Sequence, residues 1–120
     1  MNSFLFAFNG LAYAFKTQLN FKIHCCFAII AVFLGVFVKL NTSEWLWISL
    51  AIALVLVLEL LNTAIEVLVD LVSPERNDKA GAIKDLAAAA VVVAILLALA
   101  IGLFIFVPKR FLKYSEIMRE

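Results

Sequence analysis

Between Leu86 and Val107 the chain runs 22 residues without one charged side chain. At the α-helical rise of about 1.5 Å, such a run reaches roughly 33 Å, enough to cross the hydrocarbon core of a bilayer. Only a helix or a closed barrel satisfies its backbone polar groups there, and a single apolar run of this length is a helix. A chain of 120 residues that is 66% hydrophobic and 16% charged, with mean hydropathy +1.09, cannot cover so much apolar surface in a soluble core. It reads as one integral membrane domain over residues 1–120.

Two further runs fit the same solvent. One starts near Trp45 and is apolar through Leu58, and its helical period continues past Glu59 to about Val72. The apolar half is too short to span alone, so the polar stretch ELLNTAIEVLVD, Glu59 to Asp70, must finish the crossing. The other, from about Phe21 to Val38, is long enough at about 18 residues, with Lys22 and His24 near its start and Lys39 at its end. Spans are therefore expected at about residues 21–39, 45–72 and 82–107. Asn41-Thr42-Ser43-Glu44 offers capping side chains, Ser73-Pro74 stops the middle helix, and Asn77 to Gly81 is expected as a polar turn.

Ahead of the first span, at about residues 2–17, Phe4, Phe6, Phe8, Tyr13 and Phe15 alternate with small or polar residues, which suits an amphipathic helix lying on the membrane surface. The opening MNSFLFAF lacks a basic n-region and a small-residue cleavage pattern, so it is expected to belong to the mature protein. After Pro108, KRFLKYSEIMRE reads as a short charged helix or a frayed end. The fold class is an all-α membrane protein: three transmembrane helices preceded by a surface helix.

A net charge of +1 gives no basic excess to draw the chain to nucleic acid. Cys25 and Cys26 are adjacent, a spacing for neither zinc ligation nor a Cys-x-x-Cys redox pair, and read as small apolar residues. His24, Trp45 and Trp47 read as interfacial anchors. Charge does not orient the chain. Lys16, Lys22, Arg76, Lys79 and Lys84 fall on one side, and Lys39, Lys109, Arg110, Lys113 and Arg119 on the other.

With Glu59 at zero on a helical wheel of 100° per residue, Asn62 falls at about −60°, Glu66 at about −20° and Asp70 at about +20°. Four polar groups thus share one stripe. A carboxylate at bilayer depth costs about 2.5–3.5 kcal/mol on the insertion scale, so such residues face a bundle interior or a wet cavity, and they mark candidate functional sites. Polar side chains also serve as interhelical glue or reach water near the interface, and Asp70, just before Ser73-Pro74, suits that role too. Glu59 and Glu66, one heptad apart, repel each other unless a proton or cation is shared, and Mg²⁺ would resolve the repulsion. Lys84 and Asp85 open the last span on the side of Asp70, and Ala87 to Ala90 allow close helix packing there. Lysine pairs with phosphate as a point charge, while Mg²⁺ takes one or two carboxylates plus substrate phosphates. These are the parts that hold Mg-ATP beside a bilayer.

These residues resemble the prokaryotic diacylglycerol kinase and undecaprenol kinase family of small three-span enzymes. The resemblance covers nearly the whole chain: FAFNGLAYAF, NFKIH, ELLNTAIEVLVD and KAGAIKDLAAAAV. Its specific core is E-x-x-N-[ST]-A-I-E-x-x-x-D followed by K-D, with no Walker A loop and no protein-kinase signature. The resemblance implies a homotrimer with composite sites between protomers and ATP-dependent phosphorylation of a lipid hydroxyl. By position, Glu59 would be the general base and Glu66 would bind Mg²⁺ with Asn62 beside it. Asp70, Lys84 and Asp85, with the loop residues Glu75, Arg76 and Asn77, would hold the nucleotide. Because ATP is cytoplasmic, it also implies a bacterial cytoplasmic membrane protein with its active site and amino terminus inside and its carboxyl terminus outside.

Two positions depart from the family pattern. Gln18 stands where a glutamate commonly joins Glu66 on the metal, and its neutral carbonyl predicts weaker Mg²⁺ binding. Asn9 stands where a basic side chain is frequent. LNFKIH and KDLAAAAV look more like the undecaprenol kinase branch, which favours undecaprenol over diacylglycerol as substrate. The reading from another class is a non-enzymatic helical protein, a cation or proton pathway or a complex subunit, with Glu59 and Glu66 as relay carboxylates. Lys84-Asp85 speaks against it, since a cation path gains nothing from a phosphate-binding lysine.

Overall fold

The computed structural model describes the backbone of residues 2–119 and the side chains of residues 2–109 and Met118. Four helices follow in order: α1 Ser3–Thr17, α2 Leu19–Phe37, α3 Thr42–Val72 and α4 Asp78–Arg119. By length and composition α2, α3 and α4, the last over Asp78–Lys109, can each cross a membrane. The expected three spans and preceding helix are all present.

The joints between helices follow from their residues. Asn2 caps α1, its Oδ1 accepting from the Leu5 N–H at 3.2 Å, and Gln18 alone separates α1 from α2 with extended backbone. The end of α2 closes as a Schellman turn: Lys39 takes φ 56°, the Leu40 N–H reaches Gly35 O at 3.1 Å and the Lys39 N–H reaches Val36 O at 3.3 Å. Gly35 leaves room for this, because a Cβ there would lie 2.6 Å from Trp45 Cη2. The start of α3 is capped by Asn41, one of the capping side chains expected in Asn41-Thr42-Ser43-Glu44, and Glu44 completes a capping box: Asn41 Oδ1 accepts from the Glu44 N–H at 2.9 Å and Glu44 Oε1 from the Asn41 N–H at 3.0 Å. Ser73 ends α3 at φ −132°, since the residue before a proline is pushed out of the helical region.

Two sequence expectations are corrected. Asn77 to Gly81 is not a turn: Asn77 Oδ1 accepts from the Lys79 and Ala80 N–H groups at 2.8 and 3.4 Å, so α4 already starts at Asp78. The stretch after Pro108 is helical, as one of its two readings had it, but it is not a separate helix, because α4 continues through Pro108 to Arg119. Proline removes one N–H donor, and the helix has ample bonds on both sides to carry on. The side chains of Arg110, Lys113 and Arg119, which enter the charge count above, lie outside the described residues.

The centre of the fold is α3, which packs most extensively on α4, then on α2, and also touches α1. Its contact with α4 is clamped at both ends, by Asp70–Lys84 at 2.6 Å and Glu44–Lys109 at 3.1 Å. The residue numbers of these pairs add to 154 and 153, so α3 and α4 run antiparallel with one register throughout. That register puts Ala94 level with Glu59 and Val91 level with Thr63, and all four are buried. A methyl group at Ala94 allows the helices to approach closely where the carboxylate is enclosed.

Candidate active site

Helix α3 has 31 residues and so about 46 Å of length, against 19 residues and about 28 Å for α2. With His24 of α2 level with Glu59, the carboxyl-terminal end of α3 runs past the start of α2, and the polar stripe runs out along that extension. Burial falls along it: Glu59 is 4% exposed, Asn62 and Glu66 are half-buried, and the Asp70 side chain is 67% exposed.

Glu59 Oε1 lies 3.1 Å from His24 Nε2 on α2. The Thr63 hydroxyl, also buried, donates to the Glu59 backbone oxygen at 2.9 Å and so leaves the carboxylate alone. One turn on, Asn62 Nδ2 donates to Glu66 Oε1 at 3.4 Å, while Asn62 Oδ1 is buried without a hydrogen-bond partner among the described residues. Turning the amide over would set its oxygen against the carboxylate, so the bond to Glu66 fixes Oδ1 as the unpaired atom. An orphaned amide oxygen beside a carboxylate is a donor set that a hard cation takes. At the end of the stripe Lys84 Nζ donates to Asp70 Oδ1 at 2.6 Å.

The structure thus joins Glu66 to Asn62 and Asp70 to Lys84. Asp85 is exposed next to Lys84. Glu75, Arg76 and Asn77 line an open cleft with Val72, Ser73 and Pro74. Within it the Ser73 hydroxyl donates to Glu75 O at 3.3 Å, and Asn77 Oδ1 is engaged in capping α4. Gln18 sits at the α1–α2 joint, and no hydrogen bond among the described residues ties it to Glu66. No cluster of three or more histidine, cysteine, aspartate or glutamate side chains among the described residues could hold a metal ion.

His24 departs from its reading as an interfacial anchor. It lies five residues, about 7 Å, along α2 on the side turned to α3, and its ring meets the Glu59 carboxylate.

A family profile described as prokaryotic diacylglycerol kinase matches residues 5–106. The chain belongs to the prokaryotic diacylglycerol kinase family. It is 42% identical to the undecaprenol kinase of Bacillus subtilis, over 89% of this chain and 87% of that one. It is 37% identical to the diacylglycerol kinase of Synechocystis, over 88% of this chain and 61% of that one. To the diacylglycerol kinase of Haemophilus influenzae it is 35% identical, over 79% of this chain and 80% of that one. As a member of the prokaryotic diacylglycerol kinase family it is a lipid kinase, which sets aside the reading as a non-enzymatic cation pathway.

Proposed function

We propose that the chain transfers the γ-phosphoryl group of ATP to the hydroxyl of undecaprenol in a Mg²⁺-dependent reaction, with diacylglycerol as the poorer acceptor. The observation that carries this reading is the single polar stripe of α3, with an enclosed carboxylate at one end and a lysine within reach of phosphate at the other. Undecaprenol is favoured because the undecaprenol kinase is 42% identical to this chain, against 37% and 35% for the two diacylglycerol kinases.

Phosphoryl transfer asks the protein mainly for positioning and charge neutralisation, plus a base at the attacking hydroxyl. Glu59 is that base. With 4% of its surface exposed, it is reached from between helices rather than from open water, which suits an alcohol delivered by the lipid phase. It takes the hydroxyl proton as the alcohol oxygen bonds to the γ-phosphorus and the bond to the bridging oxygen of ADP breaks. Lys84 holds phosphate oxygens. Its pair with Asp70 is exposed and screened by water, so a triphosphate can take the ammonium over. Asp70, Asp85, Glu75, Arg76 and Asn77 surround the nucleotide. Glu66 and Asn62 Oδ1 would hold Mg²⁺, with the Gln18 carbonyl as a further ligand. When bound, the ion supplies neutralisation of phosphate charge. The site faces the cytoplasm, where ATP is, in a bacterial cell membrane, and the working unit is a homotrimer.

Membranes containing the chain, given Mg²⁺ and γ-labelled ATP with undecaprenol and diacylglycerol side by side in one detergent, test this. Label should enter undecaprenyl phosphate with the higher kcat/KM. Label preferring diacylglycerol would overturn the lipid assignment, and label in neither would contradict the proposal.

A further inference from the structure

We infer that His24 is a positioning residue for the reaction: its Nε2, 3.1 Å from Glu59 Oε1, holds that oxygen in place so that the other faces the incoming hydroxyl. The inference rests on the reading of Glu59 as the base. A carboxylate on a flexible side chain can present either oxygen over a range of rotamers, and a general base is efficient only within hydrogen-bond reach of its proton. Glu59 is enclosed, yet among the described residues its own helix offers the carboxylate no hydrogen bond, because Thr63 bonds the backbone oxygen instead. The remaining constraint comes from α2, where His24 Nε2 lies 3.1 Å from Oε1. With Nε2 turned to the carboxylate, Nδ1 is the ring nitrogen left for another partner. The His24 side chain is 18% exposed, so Nδ1 need not be buried unpaired.

Anchoring the base from a second helix has a mechanical consequence. The position of the carboxylate is set by the α2–α3 packing and not by the χ angles of Glu59 alone. Nucleotide groups, which the proposed reading puts farther along α3 and on α4, are untouched by this bond. Loss of the imidazole should therefore lower turnover and leave ATP affinity intact.

The test compares His24→Leu, His24→Gln, Glu59→Gln and the double variant His24→Leu/Glu59→Gln in detergent with Mg-ATP and undecaprenol. His24→Leu should lower kcat about 10- to 100-fold, the scale of a lost hydrogen bond to a charged group, with KM for ATP within about twofold. His24→Gln, which puts an amide N–H where Nε2 stood, should recover most of the loss. In the double variant the leucine should add less than about twofold to the effect of Glu59→Gln, because there is no base left to orient. A merely structural role for His24 would lower the rate equally in both backgrounds and would not be rescued by glutamine, and either result overturns the inference. So does a kcat for His24→Leu within about twofold of the parent while Glu59→Gln is inactive. Full turnover by Glu59→Gln would instead remove the base assignment itself, and this inference with it.

Discussion

A carboxylate with 4% of its surface exposed has lost most of its hydration, and Glu59 regains polar contact only from His24 among the described side chains. Farther along α3 the situation reverses. Among the described residues Asn62 Oδ1 is buried with nothing to accept from, which costs about 1–3 kcal/mol and leaves the oxygen open to a ligand. Asn62→Ala should therefore raise the Mg²⁺ concentration for half-maximal activity about tenfold, on the scale known for groups that support a metal. An unchanged metal titration would remove Asn62 from the ion's surroundings. Gln18→Glu should move the same midpoint downward, since a carboxylate adds a charge where a neutral amide now stands. Lys84→Ala should act on a different parameter, raising KM for ATP several-fold at low salt, with the effect shrinking as ionic strength rises. A KM equal to the parent's would mean that Lys84 serves only its pair with Asp70.

At the scale of elements, two short connections set how the helices meet. Lys39 holds a left-handed conformation that costs a side-chain-bearing residue about 1–2 kcal/mol, while glycine adopts it freely at some cost in chain entropy. Lys39→Gly should thus stabilise the protein by about 0.5–1 kcal/mol, read as a higher Tm in detergent, and a lower Tm would contradict the Schellman geometry. Gly35→Ala should do the opposite, because the new methyl meets Trp45 and Leu40 within 3 Å; overpacking of this kind costs about 1–3 kcal/mol. A capping side chain in Asn41 to Ser43 and the stop at Ser73-Pro74 were legible from residue types, since both depend on near neighbours in the chain, whereas the part of Glu44 in a capping box was not read. The start of α4 was not, because Asn77 looks like a turn residue until its Oδ1 is seen on the next N–H groups. The passage of α4 through Pro108 ran against the local rule for proline, which concerns one hydrogen bond and not the whole helix.

For the whole molecule, α3 lies with α4 and α2 packed against it in a body of 66 × 36 × 21 Å, and large apolar side chains remain exposed on every helix. Water would not tolerate that surface, and lipid tails or neighbouring copies do. The spans were legible because bilayer thickness converts directly into run length. The four-residue stripe was legible because the helical period alone puts Glu59, Asn62, Glu66 and Asp70 on one face. What periodicity could not give was the partner of each: the His24–Glu59 contact and the Asp70–Lys84 contact join different helices, and their registers depend on packing. In the proposed reaction the enclosed end of this stripe takes the proton of the lipid hydroxyl. The most direct measurement is kcat of Glu59→Gln beside its affinity for Mg-ATP. General-base loss predicts a fall of about 10²–10⁴-fold in kcat with nucleotide affinity within twofold of the parent. A variant that turns over within tenfold of the parent would contradict the account.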